Sequence, residues 1–351
     1  MVERQWKQLI VALVLSGAIL AGVLILTVNQ ETFHYLSNLS IEIILGAFAI
    51  HLLSLAFWGL RIQVLAKGLG YPLRFLRAYN IVLLGLLPGA ITPGKVGGEP
   101  VRVYELTRSE MKAGDATSVI VVERVLDGIF YVILAGLTIV FFGSLVRSIA
   151  TDFTYIFLLM VAAMIAGFLV FYYMLRHPDL LKRMLNRVLK WVRKVGARFG
   201  YHALDDSDDG GETWGEKISR EVDNFSRSIR EFTQKGRREL YLGFFFTVFF
   251  WISEFSIASL LLVGLGQPPY FIVSFLYQLI IAIVESIPTT PGSAGVAEIT
   301  AASLYHLILP ISVLGVFIVL WRIFLYYINI PLGLLASVIT YRKVYLPKEE
   351  K

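Results

Sequence analysis

The sequence predicts an all-α, polytopic membrane protein: six full spans plus two re-entrant helical hairpins, arranged as an inverted repeat. Three observations predict it. Of 351 residues, 56% are hydrophobic and only 17% are charged, with a mean hydropathy of +0.69; soluble domains carry about 25% charged residues. Apolar stretches of spanning length, about 20 residues, recur along the chain. The punctuation Thr-Pro-Gly-x-x-Gly occurs twice inside apolar sequence, at Thr92–Gly97 and at Thr290–Gly295. Bilayer hydrocarbon offers no water to a loosened backbone, so broken helices survive there only inside protein or beside a wet cavity. Paired interruptions in corresponding halves are the best sequence pointer to a transporter site.

The elements follow in order. Arg4 and Lys7 precede an apolar run over 8–28, too long for a signal-peptide core and closed by no A-x-A site. It reads as a retained signal-anchor helix. The next span is 41–64. Residues 78–108 are apolar but broken at the middle, and each half of about 14–18 residues is short for a span at 1.5 Å per residue. We read a hairpin with its tip at the first Thr-Pro-Gly. Spans 119–143 and 153–175 follow. Segment 176–238 is the one sizeable soluble piece. Within it, 179–199 interleaves Leu180, Leu181, Met184, Leu185, Val188, Trp191 and Val192 with Lys182, Arg183, Arg187, Lys190 and Arg193. This basic amphipathic helix suits an anionic cytoplasmic leaflet. Residues 201–213 form an acidic linker whose Asp205–Gly211 cluster lacks the ligand spacing and closing Glu of a calcium loop. Residues 214–234 place Ile218, Val222, Phe225, Ile229 and Phe232 at helical spacing, predicting a second amphipathic helix that packs on the membrane domain. Span 240–264, a second broken region at 271–309 and span 312–339 complete the chain. The whole is one membrane domain, with repeats at 41–143 and 240–339. Four strongly tilted full helices are the alternative to the two hairpins.

Charge sets the orientation. Of the 32 Lys and Arg, all but Arg61, Arg124, Arg147 and Arg322 fall on one side of this arrangement. By the positive-inside rule that side is cytoplasmic and holds both termini. The first hairpin then enters from the cytoplasm and the second from outside, giving the units opposite topology. The same asymmetry explains a pI near 9.3 without nucleic acid. The sequence has no cysteine, which excludes disulfides and thiol catalysis.

Several residues carry the chemistry. Thr92 and Thr290 are expected to be N-caps with Pro at the first helical position. Gly94, Gly97, Gly98, Gly292 and Gly295 permit close backbone approach. Two half-helix N-termini would then face each other inside the membrane and cradle an anion such as a phosphate, with Lys95 adding a full charge. The bland reading is that Pro and Gly merely allow tight hairpin packing. Glu123 and Asp127 share a helix face, and Arg124 stands three residues from Asp127. Arg322 demands a partner, for which Glu254, Glu298 or a lipid phosphate are candidates. Glu99, Glu123, Asp127, Glu254 and Glu298 are expected to form ion pairs or to gate, and Glu99 and Glu298 have proton coupling as a further option. Glu285 has the same two options. Arg61 is expected to snorkel, and His51 to be a hydrogen-bonded packing residue. No hydrolase, metalloprotease or Walker signature is present, so no enzyme activity, metal or cofactor is expected.

The motifs LLPGAITPGKVGGEPVRVYELTR (86–108), VVERVLDGI (121–129) and IPTTPGSAGVAEITAASL (287–304), in that order, resemble the lysylphosphatidylglycerol synthase transmembrane-region family. The resemblance covers roughly residues 10–340. It implies that Gly94, Gly97, Gly98, Glu99, Glu123, Arg124, Asp127, Pro291, Gly292, Gly295 and Glu298 are family positions. It also implies a flippase-like activity, since in the multiple-peptide-resistance proteins this half moves an aminoacylated phospholipid between leaflets. This sequence carries no aminoacyl-transferase domain, so lysyl transfer by it is not expected. An anionic or prenyl-phosphate-linked lipid is the expected substrate. The rival expectation is a non-transporting scaffold that presents lipid to a separate glycosyl- or aminoacyl-transferase, docked on 176–238. A small-ion transporter is a third. Homo-oligomerisation stays open.

Overall fold

In a computed structural model of the chain, residues 39–149 and 214–345 are described continuously, together with isolated positions within 21–35 and 162–187. The expected spans 8–28 and 153–175, the basic helix 179–199 and the acidic linker 201–213 lie outside the continuously described residues. The described chain is helical throughout: α1 Ile41–Gly68, α2 Phe75–Ile91, α3 Gly98–Thr107, α4 Ala113–Ile149, α5 Trp214–Gln234, α6 Arg237–Gly264, α7 Phe271–Glu285, α8 Val296–Tyr305, α9 Ile311–Arg322 and α10 Asn329–Tyr345. A wide turn of π geometry over Ile323–Tyr327 joins α9 to α10.

Among the described residues, four helical stretches are long and apolar enough to cross a membrane: Ile41–Gly68, Ala113–Phe141, Arg237–Gly264 and Ile311–Arg342. They correspond to four of the expected spans. A 28-residue helix rises about 42 Å at 1.5 Å per residue, more than a hydrocarbon core of about 30 Å. Helices α2 and α7 are apolar but hold only 17 and 15 residues, and α3 and α8 hold 10 each. The order long helix, short helix, Thr-Pro-Gly turn, short helix, long helix thus occurs twice.

Helices α1 and α6 form the most extensive pair, and glycines let their ends close on each other. A Cβ on Gly264, the last residue of α6, would fall 2.6 Å from Ile43 in the first turn of α1. A Cβ on Gly68, the last residue of α1, would fall 3.0 Å from Glu239 in the first turn of α6. The two helices therefore run antiparallel with matching contacts at both ends. The neighbours follow the same rule: α4 touches α7 of the other half, and α10 touches α2.

Two apolar cores result. One lies between α6 and α9 around Tyr277, Tyr305, Phe317 and Trp321. The other joins α1, α2 and α4 around Leu55, Ile62, Ile81 and Val119. Helix α5 covers the second core at the start of α4, burying Val222, Phe225 and Phe232, as its periodicity predicts. Ser228 donates to Asp115 at 2.5 Å, and Glu221 accepts from the Gly114 amide at 2.7 Å. Tyr71 also donates to Asp115, at 2.7 Å; burial, helped by that carboxylate, pushes its phenol above the usual value. The π turn has a local cause. Pro331 has no N–H to give Tyr327 and its ring crowds that carbonyl. The chain widens before it, with Ile328 donating to Ile323 at 3.0 Å.

Candidate functional site

The two Thr-Pro-Gly tips meet. Pro93 and Pro291 form an antiparallel bridge, and Gly292 donates its amide to the Thr92 carbonyl at 3.0 Å. Tyr326 donates to the Ala90 carbonyl at 3.0 Å, closing the contact from α10's side. Each tip is built alike. Pro at the second position and Gly at positive φ fit a tight turn, and the next residue is left-handed too: Gly94 and Lys95 have φ of 60° and 59°, Gly292 and Ser293 of 59° and 56°.

This geometry corrects the expected caps. Thr92 is not an N-cap; it ends α2 and bonds back to the Pro88 carbonyl at 2.8 Å. Its hydroxyl accepts from the Gly97 amide at 2.7 Å, and α3 starts only at Gly98. Thr290 is not an N-cap either; it donates to the Ala294 carbonyl at 2.7 Å, and α8 starts at Val296. Two successive left-handed residues cannot belong to a helix, which delays both starts. The second N-terminus is also filled from within, because Glu298 accepts the Gly295 amide at 2.7 Å.

Beside the tips lies a cavity of about 200 Å³. Of the expected site residues, Gly94, Lys95, Gly98, Glu99, Arg124 and Glu254 line it. Thr92, Gly97, Thr290, Gly292 and Gly295 shape the tips, while Glu123, Asp127, Glu298 and Arg322 sit behind the wall. The wall also brings in groups with weaker sequence signals: Trp58, Arg102, Tyr131, Trp251, Glu285 and Asn329.

Charge in and behind the wall is paired. Arg61, fully enclosed, donates to Glu123 at 2.9 Å and to Asp127 at 2.6 Å. It does not snorkel; α4 supplies both carboxylates from one face, as the four-residue spacing predicts. Arg102 reaches the other Glu123 oxygen at 2.7 Å. Indole N–H groups complete the carboxylates, Trp58 to Glu123 at 2.7 Å and Trp251 to Asp127 at 2.8 Å. Arg124 pairs with Asp127 at 3.2 Å and with Glu99 at 3.5 Å, and its side chain stays 44% exposed.

The second half repeats the last pairing. Glu298, after the tip, faces Arg322 at 2.9 Å, just as Glu99 faces Arg124. The Arg322 Nε approaches Glu298 as an ion pair without hydrogen-bond alignment. Arg322 also donates to Glu285 at 3.0 Å and to the Gly292 carbonyl at 2.9 Å. Its side chain is 1% exposed, so it braces the second tip and is not open to a lipid phosphate. Glu254 is not its partner. Lys95 crosses from the first tip to Glu285 at 2.9 Å and remains 40% exposed. His51 bonds Glu254 and Asn329, each at 3.0 Å, as a packed polar residue. Ser54 also donates to Glu254. Lys95 and Arg124 are thus the cations that combine a place in the wall with substantial exposure.

A family model described as the lysylphosphatidylglycerol synthase TM region matches residues 9–333. The chain is also similar to a UPF0104 membrane protein of Archaeoglobus fulgidus, 27% identical over 327 residues, covering 93% of this chain and 95% of that one. A UPF0104 membrane protein of Methanocaldococcus jannaschii is 25% identical, covering 95% of each chain. One of Methanothermobacter thermautotrophicus is 25% identical over 72% of this chain and 70% of its own.

Proposed function

The chain belongs to the lysylphosphatidylglycerol synthase transmembrane-region family, and from that premise we propose that this multi-pass helical membrane protein moves an anionic or prenyl-phosphate-linked lipid between leaflets. One observation carries the reading: a cavity with a mixed polar and apolar wall lies at the meeting point of two like hairpins, with Lys95 and Arg124 half-exposed on it. On this reading α2–α3 and α7–α8 are re-entrant hairpins that enter the membrane from opposite faces. The surrounding halves form an inverted repeat, and rocking them exposes the cavity alternately. The one-sided basic residues support cytoplasmic termini. A volume of about 200 Å³ equals about seven waters at ~30 Å³ each, which suits a headgroup and leaves acyl chains outside in the lipid. An arriving phosphate would replace Glu285 on Lys95 and Glu99 on Arg124. Indoles from Trp58 and Trp251 offer amphipathic walls.

Reconstituted protein is expected to move short-chain fluorescent phospholipids or a prenyl-phosphate analogue across liposomes. Lys95→Ala and Arg124→Ala each remove a charge-assisted contact worth about 1.5–3 kcal/mol, so movement should fall about ten- to a hundredfold. Rates no higher than in empty liposomes for every lipid would end the proposal. The joined tips favour one other reading, a lipid-presenting scaffold for a separate transferase. Tight lipid binding with no movement, and capture of such an enzyme, would select it.

A further inference from the structure

The ion pairs described above each match a cation to a carboxylate, but the His51 cluster is one proton short. A neutral imidazole has one N–H donor and one acceptor nitrogen, and an ionised carboxylate only accepts. His51 is 2% exposed and meets an acceptor at each nitrogen. Glu254 Oε1 stands 3.0 Å from Nδ1, and Asn329 Oδ1 stands 3.0 Å from Nε2. The Asn329 amide cannot simply be turned round, because its Nδ2 donates to the Leu325 carbonyl at 3.0 Å. The Ser54 hydroxyl, which faces the His51 carbonyl at 2.7 Å and Glu254 Oε1, has one proton and cannot supply the one missing between the imidazole and the carboxylate. With neutral His51 and ionised Glu254, a buried contact would have two acceptors and no hydrogen, which is costly. One added proton, on the imidazole or on the carboxylate, completes the set.

We propose that His51 and Glu254 together form a binding site for one exchangeable proton, and that lipid movement is coupled to its uptake and release. The coupling half of this rests on the translocase reading; the proton site does not. The position suits both roles. His51, Glu254 and Asn329 all line the cavity, which gives the proton a wet path. His51 lies on α1 and Glu254 on α6, one from each half, so the proton changes the attraction across the α1–α6 pair. Asn329 starts α10, one residue beyond the π turn, and such turns cluster at functional sites. The other charged and titratable groups around the cavity are Lys95 from the first tip, Glu285 from α7, Glu99 and Arg102 from α3, Arg124 and Tyr131 from α4, and Tyr326 from the π turn. Each of these acids has a cation partner of its own, which leaves the His51–Glu254 pair as the place where a proton is missing.

Infrared difference spectra of the purified full chain between about pH 5 and pH 9 read the site directly. Wild type is expected to show one titrating imidazole–carboxyl signal that is lost in both His51→Gln and Glu254→Gln. Identical difference spectra for wild type and both variants would overturn the site whether or not any lipid moves. Coupling is read in wild-type proteoliposomes with an imposed gradient of one pH unit. One proton per lipid then drives a leaflet imbalance of up to about tenfold, since one unit is about 1.4 kcal/mol. An imbalance of either sign that vanishes in Glu254→Gln supports coupling. Lipid movement indifferent to the gradient overturns it. Absence of any lipid movement overturns the translocase reading and the coupling with it, while the spectra still decide the proton site.

Discussion

Arg61 is completely enclosed, so its charge is tolerable only because Glu123 and Asp127 meet it. Breaking such a buried pair from one side leaves a carboxylate uncompensated and costs about 3–5 kcal/mol. In Arg61→Leu, Arg102 still meets Glu123 and Arg124 still meets Asp127, so the loss should lie at the lower end, about 3 kcal/mol, visible as reduced thermal stability in detergent. Lys95→Ala is the contrast. That side chain is 40% exposed, and exposed pairs are worth about 0–1 kcal/mol, so stability should barely change while lipid movement falls. An Arg61→Leu protein as stable as wild type would show that the network is not holding α1, α4 and α6 together. The acids of this network were legible, because Glu123 and Asp127 stand four apart on a helix. Arg61 was not. Sixty-two residues separate it from Glu123, and an arginine near a helix end looks the same whether it reaches outward or inward.

At the scale of elements, hydropathy fixes where the long helices run, and the breakers fix where the short ones stop. The expected hairpin centres at Thr-Pro-Gly are where the chain turns. The expected caps give way for a physical reason. Thr-Pro is a good N-cap and first helical residue, but the following Gly takes positive φ and draws Lys95 or Ser293 with it, so each helix starts after the second glycine of the motif. That second glycine is tightly held. A Cβ on Gly97 would stand 2.5 Å from the Thr92 Cγ2 and 2.8 Å from the Pro88 carbonyl oxygen. Gly97→Ala should therefore break the Thr92 bond and cost about 1–3 kcal/mol through overpacking. Gly136→Ala in α4 meets nothing within 4 Å and should be neutral or stabilising by up to about 1 kcal/mol from helix propensity. Equal effects of the two substitutions in unfolding experiments would show that the first tip is loosely packed.

Across the whole molecule, the two halves are joined by the long antiparallel α1–α6 pair, by the α2–α10 and α4–α7 contacts, and by the tips. The long pair buries too much apolar surface to separate and come together again repeatedly. The tips are held by the Pro93–Pro291 bridge with its Gly292-to-Thr92 main-chain hydrogen bond, the Tyr326 bond and the Lys95–Glu285 pair, few enough for a headgroup to replace. On the translocase reading, alternating exposure of the cavity requires the tips to part and the α2–α10 and α4–α7 contacts to slide, while α1 and α6 act as the hinge. A chain without cysteine allows a direct test. A Cβ on Gly94 would stand 3.1 Å from the Cβ of Pro288, slightly inside the usual disulfide range of about 3.5–4.5 Å, so a small relaxation admits a bridge. Gly94→Cys combined with Pro288→Cys should form that bridge on oxidation, because the tips rest in contact. The oxidised protein should bind lipid and move none, and reduction should restore movement. Each single variant reports the separate cost of losing Gly94's positive φ or Pro288. Full lipid movement by a fully oxidised double variant would mean that the tips stay joined throughout the cycle, and that the headgroup passes beside them along the wall formed by Arg124 and Trp251.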